Sequence, residues 1–248
     1  MAYDFKRAFR DLYQPKDKPE LVDVPAMTFA AVAGSGDPNE EGGRYQRALS
    51  LLYAFSYTVK MSKKGTWQPE GYFDYVVPPL EGLWWAGSGA FDGASIADKG
   101  ALSWVSLIRQ PDFVTPEVLD RVHADAAKKK PELAEALDAG ELRLVRFAEG
   151  PCVQMLHVGP YDTEPETIAV LSAFVASEGL AVDIAEGGES PAGHAATVPF
   201  DPGAMLDALD RDGAVPEVRL HHELYLGDPR KTTPERLRTV IRHPVKMV

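Results

Sequence analysis

The chain has 248 residues, is 45% hydrophobic and 25% charged, and carries 37 acidic against 26 basic side chains for a net charge of −11. That length holds one large domain or two small ones with a full core, and the acidic balance opposes the phosphate neutralisation on which nucleic-acid binding rests. A single cysteine, Cys152, excludes an internal disulfide and a cysteine metal cluster, and no apolar run approaches the roughly 20 residues of a membrane helix.

Residues 1–25 are expected to form a polar leader with a short helix at Asp4–Tyr13, ended by Pro15 and Pro19. The leader lacks the apolar region of a signal peptide, so the expected setting is cytoplasmic. Ala26–Ala33 predicts a strand before the Gly34-Ser35-Gly36-Asp37-Pro38 loop, and Gly43–Ser62 an amphipathic helix through Leu49, Leu52, Tyr53 and Phe55. Strands at Tyr72–Val77 and Leu80–Ala86 flank Pro78-Pro79. A glycine-rich loop, Gly87–Gly100, leads to a strand at Ala101–Arg109. Helices at Pro116–Lys129 and Pro131–Ala139 bridge to a second half. That half reads as strands Glu141–Phe147 and Pro151–Val158, then a helix opened by Thr163-Glu164-Pro165-Glu166 with capping-box spacing. A strand at His194–Phe200, a helix at Pro202–Arg211, a strand at Glu217–Leu226 and a basic helix at Pro234–Arg242 complete the chain.

Leu107–Val122 and Tyr225–Val240 repeat one another at an offset of 118 residues, with Thr115-Pro116-Glu117 on Thr233-Pro234-Glu235. Each copy places Thr, Pro and Glu where a helix start wants them. The expectation is one domain, 26–248, made of two units of about 26–140 and 141–248. Its class is α+β: two pseudo-symmetric strand–helix–strand–strand units, mainly antiparallel, with helices on one face and a central ligand groove. Internal symmetry removes one reason to dimerise, so a monomer is preferred.

Alternation along Glu217–Leu226 puts Leu220, His222, Leu224 and Leu226 on one face, expected under the helices, and His221, Glu223 and Tyr225 on the other, towards the groove. A carboxylate in mid-strand with a tyrosine two residues on can hold a cation, accept a proton or orient water; the plain alternative is a wet strand face. Adjacent Trp84 and Trp85 must point to opposite faces, so one is core and the other can line the groove, with Glu81 nearby. An aromatic wall opposite a carboxylate suits planar or cationic molecules. Tyr161, at the Gly159-Pro160-Tyr161 corner, is a further candidate, whereas His157 and His194 read as structural. His222-Glu223 begins like a zinc-protease motif, but Leu226 stands where the second histidine belongs. With no Walker A loop, dinucleotide fingerprint or nucleophile elbow either, no metal and no cofactor are expected.

The segment from His221 through Gly227-Asp228-Pro229-Arg230 to Leu237, with Pro79-Leu80-Glu81-Gly82-Leu83-Trp84-Trp85 and Gly159-Pro160-Tyr161, resembles the GyrI-like small-molecule-binding family, in its stand-alone branch. The resemblance implies two strand–helix–strand–strand units around a pseudo-two-fold groove. It also implies a buried glutamate, here Glu223, that meets cationic aromatic drugs. Only about 25 residues precede the first predicted strand, too few for the DNA-binding module of related regulators. Part of the family resembles hydrolases that open the cyclopropane ring of DNA-alkylating natural products in an aromatic cage, for which Trp84, Trp85 and Tyr161 are candidates. The expected function is binding of hydrophobic, planar or cationic xenobiotics. Cyclopropane hydrolysis, with Glu223 and Tyr161 as catalytic residues, is the alternative, and docking on a protein such as gyrase a distant third.

Overall fold

The computed structural model describes residues 2–86, 99–185 and 201–248. Two short helices, α1 (Phe5–Ala8) and α2 (Arg10–Tyr13), precede β1 (Glu20–Ser35), α3 (Arg44–Met61), β2 (Leu80–Ala86) and β3 (Leu102–Gln110). Helices α4 (Pro116–Lys129) and α5 (Pro131–Asp138) lead to β4 (Leu142–Val158), α6 (Glu164–Ser177) and β5 (Leu180–Val182). Then come α7 (Pro202–Leu209), β6 (His221–Tyr225) and β7 (Arg238–Met247).

The strands pair antiparallel in the order β4-β1-β3-β2-β6-β7-β5, and β4 also pairs with β7. Strand β4 is long enough to serve both neighbours: 142–154 run beside β1, and 152–158 beside β7. Just before the stretch that joins β7, Gly150 takes φ +70°, a left-handed conformation that glycine adopts without strain, and the β1 ladder skips Pro25 and Glu149. The sheet thereby closes into a ring. Its two halves are β1-α3-β2-β3 and β4-α6-β6-β7, joined at a β2–β6 seam where Gly82 pairs with Glu223.

Alternation sorts each strand's side chains between two cores. Phe29, Leu83, Trp85, Val105, Leu107, Phe147 and Leu224 fill the ring's interior, where α7 adds Met205, Leu206 and Leu209. Outside, Val32, Trp84, Trp104 and Ile108 pack beneath α3, whose Ala48, Leu51, Leu52, Phe55 and Val59 recur at helical spacing. Ile168, Leu171 and Val175 of α6 cover Val153, Met155 and Ile241 in the same way. Each such leucine or phenylalanine contributes about 1.5–3 kcal/mol by leaving water.

The ring's interior also holds a charged network. His222 sits between two carboxylates, with Nδ1 3.0 Å from Glu149 Oε2 and Nε2 3.1 Å from Glu81 Oε2. Glu81 accepts from the Tyr13 hydroxyl at 3.1 Å. Arg242 donates to Glu149 at 3.3 Å, to Gln154 at 3.0 Å and to the Leu12 carbonyl at 2.7 Å. Burial alone would favour the neutral imidazole, but the Glu149 and Glu81 carboxylates prevail and raise the His222 pKa to about 9. Burial likewise opposes the charge on Glu149, and His222 and Arg242 override it, lowering its pKa to about 2.

Several elements differ from the sequence expectation. The first strand begins at Glu20, inside the stretch read as a leader, and α2 sends Leu12 and Tyr13 into the core. Tyr72–Val77 is not a strand; Tyr75 makes one isolated bridge to Tyr3. The strands expected at Glu141–Phe147 and Pro151–Val158 are one. Pro234–Arg242 is no helix: Thr233-Pro234-Glu235 opens a single 3-10 turn, and β7 follows because Val240, Ile241 and Val245 are needed in the two cores. The 118-residue offset therefore superposes β3 and α4 on β6 and β7, matching turn chemistry rather than equivalent elements. Thr163 does not close a capping box, since its hydroxyl donates to the Pro160 carbonyl. The strand expected at His194–Phe200, with His194, and most of the glycine-rich loop lie outside the described residues.

Candidate functional site

Strand β6 shows the expected alternation, but its two faces are exchanged relative to the helices. His222 and Leu224 point into the closed ring, while His221, Glu223 and Tyr225 point outward, to the side on which α3 and α6 pack. Glu223 Oε1 lies 2.9 Å from His221 Nε2, and His221 Nδ1 lies 2.7 Å from Nε2 of His243 on β7. The pairing of His222 with Arg242 sets His243 opposite His221. Two residues past Glu223, the Tyr225 hydroxyl accepts from Trp84 Nε1 at 2.8 Å.

The helices complete the cluster with their first turns. Glu164 opens the stripe that carries Ile168, Leu171 and Val175, so it is driven inward with them and reaches Glu223 and Thr239. Tyr45 opens the matching stripe of α3 and packs on Trp84 in a tilted contact and on Trp104 edge-on, at ring-centre distances of 5.5 and 5.1 Å. Tyr161, just before α6, meets Tyr225 edge-on at 6.0 Å and remains 39% exposed, forming the outer wall. Three phenols thus face the carboxyls, with the Trp84 and Trp104 indoles packed behind them.

Two carboxyls in contact in a buried place do not both ionise readily. Burial, followed by the Glu223 carboxylate, holds Glu164 well above the ordinary carboxylate range. Burial and then Glu223 also raise the phenols, Tyr161 to about 12 and Tyr225 well above its ordinary value, so both hydroxyls keep their protons. The site therefore offers a protonated carboxyl, a carboxylate and neutral phenols: a donor and an acceptor side by side in an aromatic enclosure.

Of the residues expected from sequence, His221, Glu223, Tyr225, Trp84 and Tyr161 come together here. Trp85 and Glu81 do not; alternation turns both into the ring, Trp85 among apolar side chains and Glu81 to Tyr13 and His222. Glu164, Tyr45, Trp104 and His243 were missed. The helical stripes of Glu164 and Tyr45 were legible signals, whereas the place of His243 depended on β7, read as helix. A surface cavity of about 460 Å³ beside His157, Pro160 and Glu166 includes no member of the cluster. Its His157 is satisfied by Thr167 and the Pro160 carbonyl, as expected of a structural histidine. Cys152 is buried, and its thiol is pushed up by burial and by Glu149. Among the described residues no group of three or more His, Cys, Asp or Glu could hold a metal, and no helix is long and apolar enough to cross a membrane.

Gly82, opposite Glu223, makes room for the seam: a β-carbon there would stand 2.6 Å from Trp84 Nε1 and 3.1 Å from the Tyr225 hydroxyl. Gly82→Ala is expected to separate Trp84 from Tyr225 and cost about 1–3 kcal/mol, the penalty of a stranded buried polar group. Tryptophan fluorescence and urea melts read this directly; wild-type values in both would mean that the seam absorbs a methyl group.

No model of a known protein family matches the chain, and no curated protein does. Solved structures do. A protein described as a hydrolase from Listeria innocua is 41% identical, covering 98% of this chain and 100% of its own, with a TM-score of 0.74. An uncharacterised conserved protein from the same organism is 43% identical over 98% of this chain and 100% of its own, at a TM-score of 0.76. A further hydrolase from that organism is 41% identical over 99% and 100%, also at 0.76.

Proposed function

This chain belongs to the family of those Listeria innocua proteins, and on that footing we propose that it is a small-molecule hydrolase of the GyrI-like type. It takes a flat, hydrophobic electrophile between its aromatic rings and adds water with a carboxyl pair. The observation that carries the reading is the contact between Glu164 and Glu223 against the phenols of Tyr45, Tyr161 and Tyr225, which Trp84 and Trp104 back. The description of two family members as hydrolases supports it.

The substrate class we assign is a cyclopropane conjugated to a carbonyl, as in DNA-alkylating natural products. Glu223 removes a proton from water as the oxygen bonds to a ring carbon. The breaking carbon–carbon bond sends its electron pair through the conjugated system to the carbonyl oxygen, which takes the proton of Glu164. The new proton on Glu223 then passes to Glu164 across their contact, restoring the pair. Trp84, Tyr45 and Tyr161 hold the substrate plane and exclude bulk water. Detoxification of a xenobiotic would be the biological result.

The test is a multiple-turnover assay with a cyclopropane-bearing alkylator in excess over protein, following gain of one water by mass. Wild type should turn over, and Glu223→Gln should fall by about 10²–10⁴-fold, the usual worth of a general base. Equal turnover by both proteins would sink the mechanism. Tight binding without turnover would favour the second reading, sequestration of planar or cationic molecules against Glu223 and the rings.

A further inference from the structure

We propose, resting on the hydrolytic reading above, that His221 and His243 are positioning residues. They form a two-imidazole relay that makes Glu223 the proton acceptor of the carboxyl pair and leaves Glu164 the donor. The relay is built by strand geometry. His221 and Glu223 are two residues apart on one face of β6, and His243 lies across from His221 on β7. The contacts are 2.9 Å from Glu223 to His221 and 2.7 Å from His221 to His243, and both imidazoles are buried.

The direction of the relay follows from counting protons. Burial and the neighbouring His221 hold His243 well below the ordinary imidazole range, so its ring carries one hydrogen. His243 Nδ1 has no hydrogen-bond partner among the described residues. A stranded N–H is rarer in protein interiors than an under-used acceptor, which puts the hydrogen on Nε2, where it donates to His221 Nδ1. His221 then presents its own hydrogen at Nε2, towards Glu223. The Tyr225 hydroxyl is also within hydrogen-bonding reach of that carboxyl, and donors of this kind favour the charged form. Facing Glu223 from the other elements are Glu164 of α6, Tyr161 before it and Tyr45 of α3. Glu164 receives less help: Oε1 has no hydrogen-bond partner among the described residues, its side chain meets Thr239, and the nearby Asp162 carboxylate opposes its charge. The shared proton therefore rests on Glu164.

Two measurements test the relay. Nitrogen-15 NMR of labelled histidine, in the ligand-free protein, should show His243 protonated at Nε2 and not Nδ1, and a hydrogen on Nε2 of His221. A His221 ring protonated at Nδ1 alone would overturn the proposal without any assay of activity. The second is the pH profile of hydrolysis for His221→Leu and His221→Gln, the latter keeping an amide donor near the Nε2 position. His221→Leu should lose about 10–100-fold in kcat at little change in KM, taking as a guide the loss when the hydrogen-bond partner that orients a metal ligand is removed. The acidic limb of its profile should also move up by about one pH unit as the carboxyl pair loses a donor. His221→Gln should recover most of both; if the leucine variant does not fold, the glutamine variant's limb and the NMR decide. A wild-type profile for His221→Leu beside an inactive Glu223→Gln would end the relay and leave the hydrolytic reading intact. Full activity in Glu223→Gln would end that reading itself.

Discussion

Glu149→Ala is expected to lower the free energy of unfolding by about 3–5 kcal/mol, the cost of removing one partner from a buried ion pair. Glu149 is the carboxylate that His222 and Arg242 share inside the ring. Without it Arg242 retains Gln154 and the Leu12 carbonyl but no counter-charge at Nη1, and His222 keeps Glu81 alone. Urea denaturation should show a lower midpoint at an unchanged slope; a loss below about 1 kcal/mol would mean that water or rearrangement replaces the carboxylate. The wild-type pH dependence follows from the same pair. The raised pKa of His222 contributes stability that is complete below its ordinary value of 6.5 and is lost as pH rises through about 9. The depressed pKa of Glu149 contributes stability that is complete above 4.5 and is lost as pH falls towards about 2. Melts should therefore be flattest between those ordinary values, and the Glu149→Ala profile should be shallower on both flanks.

Glu164→Gln carries the second large effect: turnover should fall by about 10²–10⁴-fold while affinity for a planar ligand changes little. Glutamine keeps the size of a protonated carboxyl and can still donate a hydrogen bond, but it has no proton to transfer. Isothermal titration beside the turnover assay separates the two. Equal losses of binding and turnover would make Glu164 a wall of the site rather than its acid. Retained turnover would pass the donor's role to another group.

What could be read in advance divides along a physical line. Local pattern was reliable: alternation set His221, Glu223 and Tyr225 together, tandem tryptophans split between faces, and α3 to α6 fell within a few residues of expectation. The face assignment failed because alternation separates two sides without saying which is enclosed. Here the side expected under helices is the inside of a ring, and closure depends on β4 reaching β7. The same non-local closure hid the role of Glu81, which meets Tyr13 and His222 across 68 and 141 residues of chain. At Thr233-Pro234-Glu235 helix-start chemistry was present but brief, and the β-branched run after it, Thr239, Val240 and Ile241, was the better guide.

A closed ring also governs how such a chain acquires its structure. Either half alone, β1-α3-β2-β3 or β4-α6-β6-β7, would expose unpaired strand edges at the seam and at β4. The hydrogen bond from Arg242 to the Leu12 carbonyl spans 230 residues. Loop-closure entropy on that scale must be overcome before such contacts reward it, which places folding among the slow, milliseconds-to-seconds topologies. Partly formed rings are therefore the species with sticky edges, and the protein's exposure to aggregation is concentrated in the interval before β7 finds β4.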